Sequence, residues 1–326
     1  MKEINILLTM DCEPTLGTTH AQATGPRDWA HGERAVRGYF DIGKRYGFPA
    51  SYFVHPEAAL GQAEVFGDLA GQGATLGLHM HPWKYAMWRY EQKRFFANYG
   101  GLTEDEQREV LAESSALWRQ AIGYQPLYFR PGSFSANDAV FKVLAELGFR
   151  GGSCSVPGRV WPDVQTVWSG AEPDPHRADT QFRQSRGTLE FANVPVSVDF
   201  SSTISGAKGR TMHPDLRPDT DWPGKHGISY QTIATNILAQ TMARAPKVPV
   251  IVIISHNHYE YSDEGNAVTR RLVASLDAVC AACKAANVTP VGRTLMGVVD
   301  DVLSLPLVPE PFVCPESAWS VNAKSV

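Results

Sequence analysis

Two histidines, His79 and His81, stand one residue apart directly after a short apolar run. In an extended strand the side chains at positions i and i+2 point to the same face, so both imidazoles can approach one ion. Neutral imidazole is a common zinc ligand, and a hydrolytic zinc site adds a carboxylate and leaves one position open. The pair therefore predicts a divalent metal site with Zn²⁺ as the first candidate, although the same spacing also occurs by accident at surfaces and core edges.

Two carboxylates, Asp11 and Glu13, follow the first apolar run, residues 4–8, with the same alternation. If the strand persists, both side chains face one site. One carboxylate can complete a His-His-carboxylate metal set while the other takes a proton from the bound water. The competing explanation is a solvated loop after the first strand.

Arg130, His256 and His258 also follow strand-like runs, residues 126–129 and 248–254. Arg130 can keep the base carboxylate ionised through a bidentate, charge-assisted pair. Either histidine can serve as the general acid for a leaving amine, and alternation does not choose between them. A turn arginine and core-edge histidines are the ordinary structural explanations, but independent accidents would not all fall at strand ends. Together these residues predict metal-assisted hydrolysis of a carbonyl compound.

The rest of the chain alternates between strand-like and helix-like patterns. Apolar runs predict strands at residues 4–8, 50–54, 75–78, 126–129, 248–254 and 288–291, and helical spacing predicts helices at 33–46, 63–70, 103–122, 137–147, 229–243, 266–286 and 294–303. This order predicts an α/β fold with a parallel sheet that closes as a barrel, with the candidate groups on one rim. We predict one barrel domain over residues 1–305, with irregular loops at about 156–225, and a surface tail over 306–326.

An aromatic segment spans residues 83–99 and includes Trp83 and Trp88. It is either a lid packed on the barrel surface or a wall on which sugar rings stack, and the sequence does not choose between them. We predict substrate contacts for Trp83, Trp88, Phe134 and His258.

Composition excludes several functional classes. The net charge is −4 and no Lys/Arg run indicates nucleic-acid binding. No apolar stretch approaches the roughly 18 residues of a membrane span, and the N-terminus lacks a signal-peptide pattern, so we expect a cytoplasmic protein. Five cysteines do not suggest a disulfide framework. The partner expected is a small-molecule or glycan substrate, and the oligomeric state is left open.

Taken in chain order, these blocks resemble the polysaccharide deacetylase family, also called carbohydrate esterase family 4 or the NodB-homology domain. Thr9-Met10-Asp11-Cys12-Glu13-Pro14 resembles the first family motif, Thr-Phe-Asp-Asp-Gly-Pro, and His79-Met80-His81-Pro82-Trp83 resembles the second, His-Ser/Thr-x-x-His. Phe129-Arg130-Pro131-Gly132-Ser133-Phe134 is similar to the arginine–proline block, and Ile254-Ser255-His256 to the late leucine–histidine motif. The blocks extend over residues 4–300.

The resemblance implies a distorted (β/α)7 barrel, a divalent metal that is commonly zinc, and hydrolysis of N-acetyl groups on amino sugars. Carried over residue by residue, it implies that Asp11 is the general base and His79 a metal ligand. It also implies that Arg130 orients the base and that His256 is the general acid.

Two positions depart from the family motifs. Cys12 replaces the second aspartate, normally a ligand, so either Cys12 or Glu13 takes that role; strand alternation turns Cys12 away and favours Glu13. Trp83 stands where the second histidine is expected, and His81 is the replacement that strand geometry allows. These changes resemble an atypical intracellular subgroup of the family.

The leading interpretation is a metal-dependent hydrolase that removes the N-acetyl group from an amino sugar or glycan precursor, with metal-bound water as the nucleophile. Two alternatives stay open. One is a metal-dependent hydrolase of a non-sugar C–N bond, as in a ureide or cyclic imide. The other is a catalytically silent sugar-binding barrel.

Overall fold

The computed structural model describes residues 1–16 and 24–307, so the predicted surface tail lies outside the described residues from 308 onwards. The described strands are β1 Glu3–Cys12, β2 Ala50–Val54, β3 Thr75–Met80, β4 Tyr128–Pro131, β5 Gly151–Gly152, β6 Val160–Trp161, β7 Thr166–Val167, β8 His176–Arg177, β9 Ala192–Asn193, β10 Ile204–Ser205, β11 Thr211–Met212, β12 Val250–His256 and β13 Thr289–Gly292. The described α-helices are α1 Trp29–Tyr46, α2 Pro56–Gly61, α3 Ala63–Gly71, α4 Pro82–Tyr90, α5 Glu104–Ile122, α6 Val140–Glu146, α7 Trp222–His226, α8 Tyr230–Arg244, α9 Ala267–Ala285 and α10 Leu295–Ser304. The predicted α/β class is confirmed.

The main sheet is built around β1. Its strand order is β12-β1-β2-β3-β4-β5-β9-β8, with β13 as an additional partner of β1. Along one edge β1 pairs with β12; along the other it pairs first with β13, through residues 3–6, and then with β2, through residues 8–12. All pairs are parallel except β8–β9. The carboxyl ends of β1, β3, β4 and β12 therefore meet at one rim.

The central strands are near-continuous apolar runs because they are covered on both faces. Every residue of β2 and β3 is buried, and β12 is buried up to Ser255. Helices α1, α3, α8 and α9 pack against this sheet. Among the described helices, none is long and apolar enough to cross a membrane.

The sheet curls into a half-barrel rather than closing through continuous backbone pairing. Its path of paired strands begins at β12 and ends at β8, and in the described residues no ladder joins these two ends. The chain after β9 crosses the gap instead: Val194 N–H donates to the Gly152 carbonyl on one side. On the other side Ser197 Oγ accepts from Val252 N–H at 2.9 Å and donates to the Val250 carbonyl at 3.4 Å. The hydroxyl of Ser197 thus takes the place of a backbone group in hydrogen bonding to β12.

Helix boundaries follow local side-chain chemistry, with one difference from expectation. Thr103 forms a capping box with Glu106, and α5 ends at Ile122 as expected. The next helix is predicted to begin at residue 137, but α6 begins only at Val140. The Asn137 carboxamide caps a turn instead, accepting from Ala139 N–H at 3.1 Å.

The region predicted to be irregular, residues 156–225, contains only short elements. Strands β10, β11, β6 and β7 form a small antiparallel sheet, and each has two residues. Such short ladders supply few backbone hydrogen bonds, so side-chain ion pairs have a larger part in holding this region. One of its acids, Asp219, reaches His256 at the rim.

The hydrogen bonds between Ser197 and β12 should contribute to the stability of the fold. Ser197→Ala leaves the buried Val252 N–H without its acceptor, so we expect the free energy of unfolding to fall by about 1–3 kcal/mol. The measurement is urea denaturation followed by circular dichroism. Ser304→Ala removes an exposed serine hydroxyl that donates to the Asp301 carbonyl at 2.8 Å, and should change the same quantity by less than about 0.5 kcal/mol. Equal losses in the two variants would contradict the bridging role.

Candidate active site

Arg130 lies in β4 at the rim and is fully buried. Its guanidinium donates from Nη1 to Asp11 Oδ1 at 2.7 Å, from Nη2 to Thr9 Oγ1 at 2.9 Å, and from Nε to the Ser153 carbonyl at 3.0 Å. The planar group is therefore held in one orientation. Its contact with Asp11 is a single hydrogen bond and not the bidentate pair expected, because the second terminal nitrogen is bonded to Thr9.

Asp11 is held as a carboxylate. Burial alone would raise its pKa, but Arg130, His79 and His256 together outweigh burial, so the pKa is lowered. Its second oxygen, Oδ2, lies 3.9 Å from His256 Nε2, which is longer than a hydrogen bond. The two side chains therefore face each other without being joined.

Glu13, His79 and His81 form a compact buried cluster on the other side of Arg130. Glu13 Oε1 lies 3.0 Å from His81 Nε2 and 3.4 Å from His79 Nε2, and one atom from each residue falls within 4.8 Å of the others. His79 Nδ1 lies 3.0 Å from the Arg130 carbonyl oxygen. That carbonyl can only accept, so it fixes the protonated nitrogen at Nδ1 and directs Nε2 into the cluster.

The chain turns sharply at His81. Strand β3 ends at Met80, His81 is the N-cap of α4, and Pro82 takes the first helical position, where its missing N–H costs nothing. The ring of His81 packs against Gly132, where an added Cβ would lie only 2.2 Å from the imidazole. A glycine at this position is what lets His81 reach Glu13.

The structure separates the two candidate ligands of the first motif. Cys12 is fully buried within the hydrophobic core, and burial raises the pKa of its thiol well above the ordinary value. Glu13, not Cys12, lies with the two histidines. The alternation of side chains along β1 has the consequence expected from the sequence.

Lys84 is an unexpected member of this cluster. It is 1 % exposed, and its Nζ lies 2.8 Å from Glu13 Oε2 and 2.9 Å from the Thr24 carbonyl. Burial alone would raise the pKa of Glu13, but Lys84 and the two imidazoles together outweigh burial, so the pKa is well below its usual range. Glu13 is thus ionised, with one oxygen toward the lysine and one toward the imidazoles.

The donor set of one carboxylate oxygen and two imidazole nitrogens fits a borderline divalent ion such as Zn²⁺. The three side chains are held from behind by Lys84, the Arg130 carbonyl and the packing on Gly132. A three-ligand set leaves a coordination position for a substrate atom or water, the pattern of catalytic rather than structural zinc.

His256, the last residue of β12, is paired with an acid from the irregular region. Its Nδ1 lies 2.5 Å from Asp219 Oδ2, while Asp219 Oδ1 accepts from Ser255 Oγ at 2.7 Å. Burial would lower the pKa of His256, but Asp219, with smaller contributions from Asp11 and Glu13, outweighs burial, and the pKa is raised. The carboxylate holds the Nδ1 proton and points Nε2 at Asp11.

The second candidate acid, His258, behaves differently. It lies beyond the end of β12, with its ring centroid 5.2 Å from that of His256. Burial, followed by the charge of His256, lowers the pKa of His258 to about 4. A general acid must hold its proton near neutral pH, so the electrostatics favour His256 over His258.

Asn257, between these histidines, fixes the backbone of the first motif. Its Oδ1 accepts from Glu13 N–H at 2.9 Å and its Nδ2 donates to the Glu13 carbonyl at 3.1 Å. Its own N–H donates to the Asp11 carbonyl at 3.1 Å. The carboxamide continues the pairing of β1 with β12 beyond the last residue pair, Asp11 and His256, and thereby sets the position of Glu13.

The two tryptophans predicted to contact substrate lie in different surroundings. Trp83 is half-buried beside the candidate ligands, with its ring 5.9 Å from that of His81. Trp88 packs on the ring of Tyr85 at 5.9 Å and under the guanidinium of Arg89, and neither is a candidate site residue. Most of the aromatic segment stabilises the fold, since its buried rings belong to the core: Tyr85, Phe95 and Tyr99.

Phe134 and His258 are the remaining predicted contacts. Phe134 is buried, and its ring centroid lies 5.3 Å from the Arg130 guanidinium carbon, so it packs behind the arginine. His258 is partly exposed and lies beside the ring of Tyr259. Substrate contact stays a prediction for all four residues.

Three site residues were missed by the sequence reasoning. Lys84 follows Trp83 directly, but a lysine in an aromatic, basic segment reads as a solvated charge. Asn257 stands between the two histidines, and its position there was the available signal. Asp219 lies in the irregular region, where no periodic pattern marks a strand end, so nothing in the local sequence pointed to it.

Comparison with solved structures defines the fold. The chain is similar to a crystal structure of a putative polysaccharide deacetylase from Mycobacterium smegmatis, with 18% identity, 97% of this chain and 95% of that chain covered, and a TM-score of 0.59. It is also similar to Puue allantoinase (13% identity, 92% and 90% covered, TM-score 0.54). A probable polysaccharide deacetylase from Pseudomonas aeruginosa PAO1 gives 12% identity, 92% and 91% coverage, and a TM-score of 0.54. The fold is that of deacetylase-type (β/α) barrels, as predicted.

A sequence match agrees with the similarity of the folds. Residues 5–152 match the family model for polysaccharide deacetylase, a segment that contains the motifs from Asp11 to Arg130. The predicted resemblance is confirmed over this segment, which is less than half of the chain. The match supports a hydrolase of the deacetylase class. A comparison with curated proteins finds no match.

The His256–Asp219 pair predicts a measurable proton affinity. In the wild type, NMR titration of the His256 ring should give a pKa above the ordinary value of 6.5, because Asp219 stabilises the imidazolium. Asp219→Asn removes that charge, so the pKa of His256 should fall. Asp221→Asn changes a neighbouring acid that caps α7 and should leave the pKa of His256 unchanged. An unchanged titration in Asp219→Asn would show that the pairing is not made in solution.

Proposed function

We propose that the protein is a metal-dependent hydrolase that removes the N-acetyl group from an amino sugar or glycan precursor. The observation that carries the proposal is the junction at Arg130. Its carbonyl accepts from His79 of the candidate metal cluster, and its guanidinium donates to Asp11, the candidate base. One buried residue therefore couples a three-donor ligand set to a base that faces an imidazole whose pKa is raised.

Glu13, His79 and His81 would hold the ion, which when bound supplies Lewis acidity to the carbonyl oxygen of the substrate. Lys84 would keep Glu13 ionised whether or not the ion is present. This accounts for a lysine at a position where it otherwise competes with a cation for the carboxylate.

Asp11 and His256 would divide the proton transfers. Asp11 Oδ2 accepts a proton from the attacking water, because Arg130 keeps that carboxylate ionised. His256 donates its Nε2 proton to the departing nitrogen, and Asp219 holds the other ring proton throughout. The 3.9 Å gap between Asp11 and His256 separates the two groups enough that they do not neutralise each other directly.

A ureide or cyclic imide is the second candidate substrate. The fold is shared to a similar degree with Puue allantoinase, so fold similarity does not separate the two substrates. Trp83 occupies the position of the second family histidine and borders His81, and a flat heterocycle can stack on it as well as a sugar can. The chemistry at Asp11 and His256 is common to both, because each reaction cleaves a carbonyl C–N bond.

Metal content tests the ligand set. Elemental analysis of the purified protein should give about one divalent ion per chain, with zinc first in expectation. His79→Ala and Glu13→Gln should each lose most of it, whereas His226→Ala, an exposed histidine of α7, should keep it. Retention of full metal in Glu13→Gln, or a wild type that binds no ion after reconstitution, would refute the proposed centre.

Substrate trials test the reaction. Acetate release from N-acetylated glucosamine oligomers, and ring opening of allantoin and hydantoin, should be measured side by side. Asp11→Asn should reduce kcat/KM on the active substrate by about 10²–10⁴-fold, as expected for loss of a general base. Asp221→Asn is the matched control and should retain activity. If the metal-loaded protein hydrolyses none of these compounds, the catalytic proposal fails and the sugar-binding alternative takes its place.

A further inference from the structure

Arg159, just before β6, is a buried cation with no full partner. It is 2 % exposed, and its Nε and Nη2 make no hydrogen bond to any residue that the structure describes. The carboxylate at ion-pair distance is Asp215, whose Oδ2 lies 3.9 Å from Arg159 Nη2. That carboxylate is already engaged: Arg217 donates to it from Nε and Nη2 at 2.6–2.8 Å.

Two guanidinium groups therefore share one buried carboxylate. A buried charge without a counter-ion is strongly unfavourable, because burial removes its hydration. Burial, reinforced by Arg217, lowers the pKa of Arg159 to about 9, which leaves the side chain charged near neutral pH. The fold thus holds one positive charge more than Asp215 balances.

This charge adjoins the candidate catalytic pair. The ring of Phe134 lies 5.3 Å from the guanidinium carbon of Arg159 and 5.3 Å from that of Arg130, which binds Asp11. From the other side, Asp215, Arg217 and Asp219 follow one another at alternate positions, and Asp219 holds His256. Arg159 is therefore connected to Asp11 through the side chains of Phe134 and Arg130. It is connected to His256 through Asp215 and the short stretch of chain that leads to Asp219.

Aromatic stacking holds the guanidinium of Arg159 in place but provides no acceptor for its N–H groups. The guanidinium carbon lies 4.4 Å from the ring centroid of Trp161, with the Phe134 ring at 5.3 Å. Rings attract the charge of a guanidinium, but they do not replace a carboxylate as acceptor for its in-plane N–H groups. A fork held in a fixed plane with open donors is preorganised for a planar carboxylate. Because the site is buried, such a pair forms in a medium of low dielectric constant.

We propose that Arg159 recognises a carboxylate group on the substrate. This rests on the proposed function, an amide hydrolase, and narrows its substrate class to amides that carry a carboxylate close to the scissile C–N bond. A neutral N-acetyl sugar would leave Arg159 without a counter-ion in the complex, whereas an acidic amide would supply it.

Matched ligand pairs test the proposal without any turnover. N-acetylmuramic acid differs from N-acetylglucosamine by a lactyl ether bearing a carboxylate, and hydantoin-5-acetic acid differs from hydantoin by a carboxymethyl group. Affinities would be measured by isothermal titration calorimetry in chloride- and phosphate-free buffer. In the wild type, the acidic member of at least one pair should bind about tenfold tighter or more, as for a charge-assisted hydrogen-bonded contact.

Three variants locate the effect. Arg159→Gln should reduce the preference for the acidic member to within about twofold. Arg159→Lys keeps the charge but not the planar fork, and should retain part of the preference. Arg119→Gln, on the exposed side of α5, removes the same charge far from the rim and should retain all of it. Thermal unfolding of each variant verifies folding; if Arg159→Gln does not fold, the Arg159→Lys and wild-type titrations carry the test.

Equal affinities within both pairs for the wild type, or an undiminished preference in folded Arg159→Gln, would overturn the proposal. Equal stabilisation by free acetate, with no advantage for acidic amides, would also overturn it, since the site would then bind free anions. The result is separable from the proposed function. An Arg159-dependent preference without hydrolysis of any amide supports the carboxylate subsite and removes the hydrolase, whereas hydrolysis without the preference does the reverse.

Discussion

The structure of the rim depends on the buried guanidinium of Arg130. A fully buried arginine is tolerated only when its donors are satisfied, and here a carboxylate, a hydroxyl and a carbonyl from β1 and from the segment after β5 do so. The same residue accepts from His79 through its carbonyl. Any shift of β4 would therefore disturb the base and the candidate ligand together, which explains how two groups of side chains from distant parts of the chain keep one relative geometry.

Each buried carboxylate of the site has its own positively charged or imidazole partner. Asp11 faces Arg130, Glu13 faces Lys84 and two imidazoles, and Asp219 faces His256. Burial would push each carboxylate toward its neutral form, and in each the positive partner prevails, so the pKa is lowered. The one imidazole whose pKa is raised is paired with an acid, and its neighbour His258 is kept neutral. Such opposed shifts in adjacent groups are typical of acid–base sites.

The irregular region from residue 156 to 225 contributes more than its secondary structure suggests. It supplies Asp219 to His256 and brings Arg159 to the back of Phe134, while its own strands are two residues long. In barrel folds, substrate selection is commonly carried by such connections on a rigid sheet. The departures from the family motifs lie at Cys12, the last residue of β1, and at Trp83 in α4, whereas the unbalanced charge of Arg159 lies in the irregular region.

The sequence by itself determined the parts that depend on local periodicity. Apolar runs marked β1, β3, β4 and β12, and alternation at i and i+2 assigned Asp11 and Glu13 to one face and Cys12 to the other, because side-chain direction in a strand is set within a few residues. Only the tertiary structure decided the partners: Arg130 meets Asp11 across 119 positions, and Asp219 reaches His256 across 37. Lys84, Asn257 and Arg159 acquire their roles in the same way. Their burial and contacts come from segments that share no local pattern, and no spacing rule encodes a contact between distant parts of a chain.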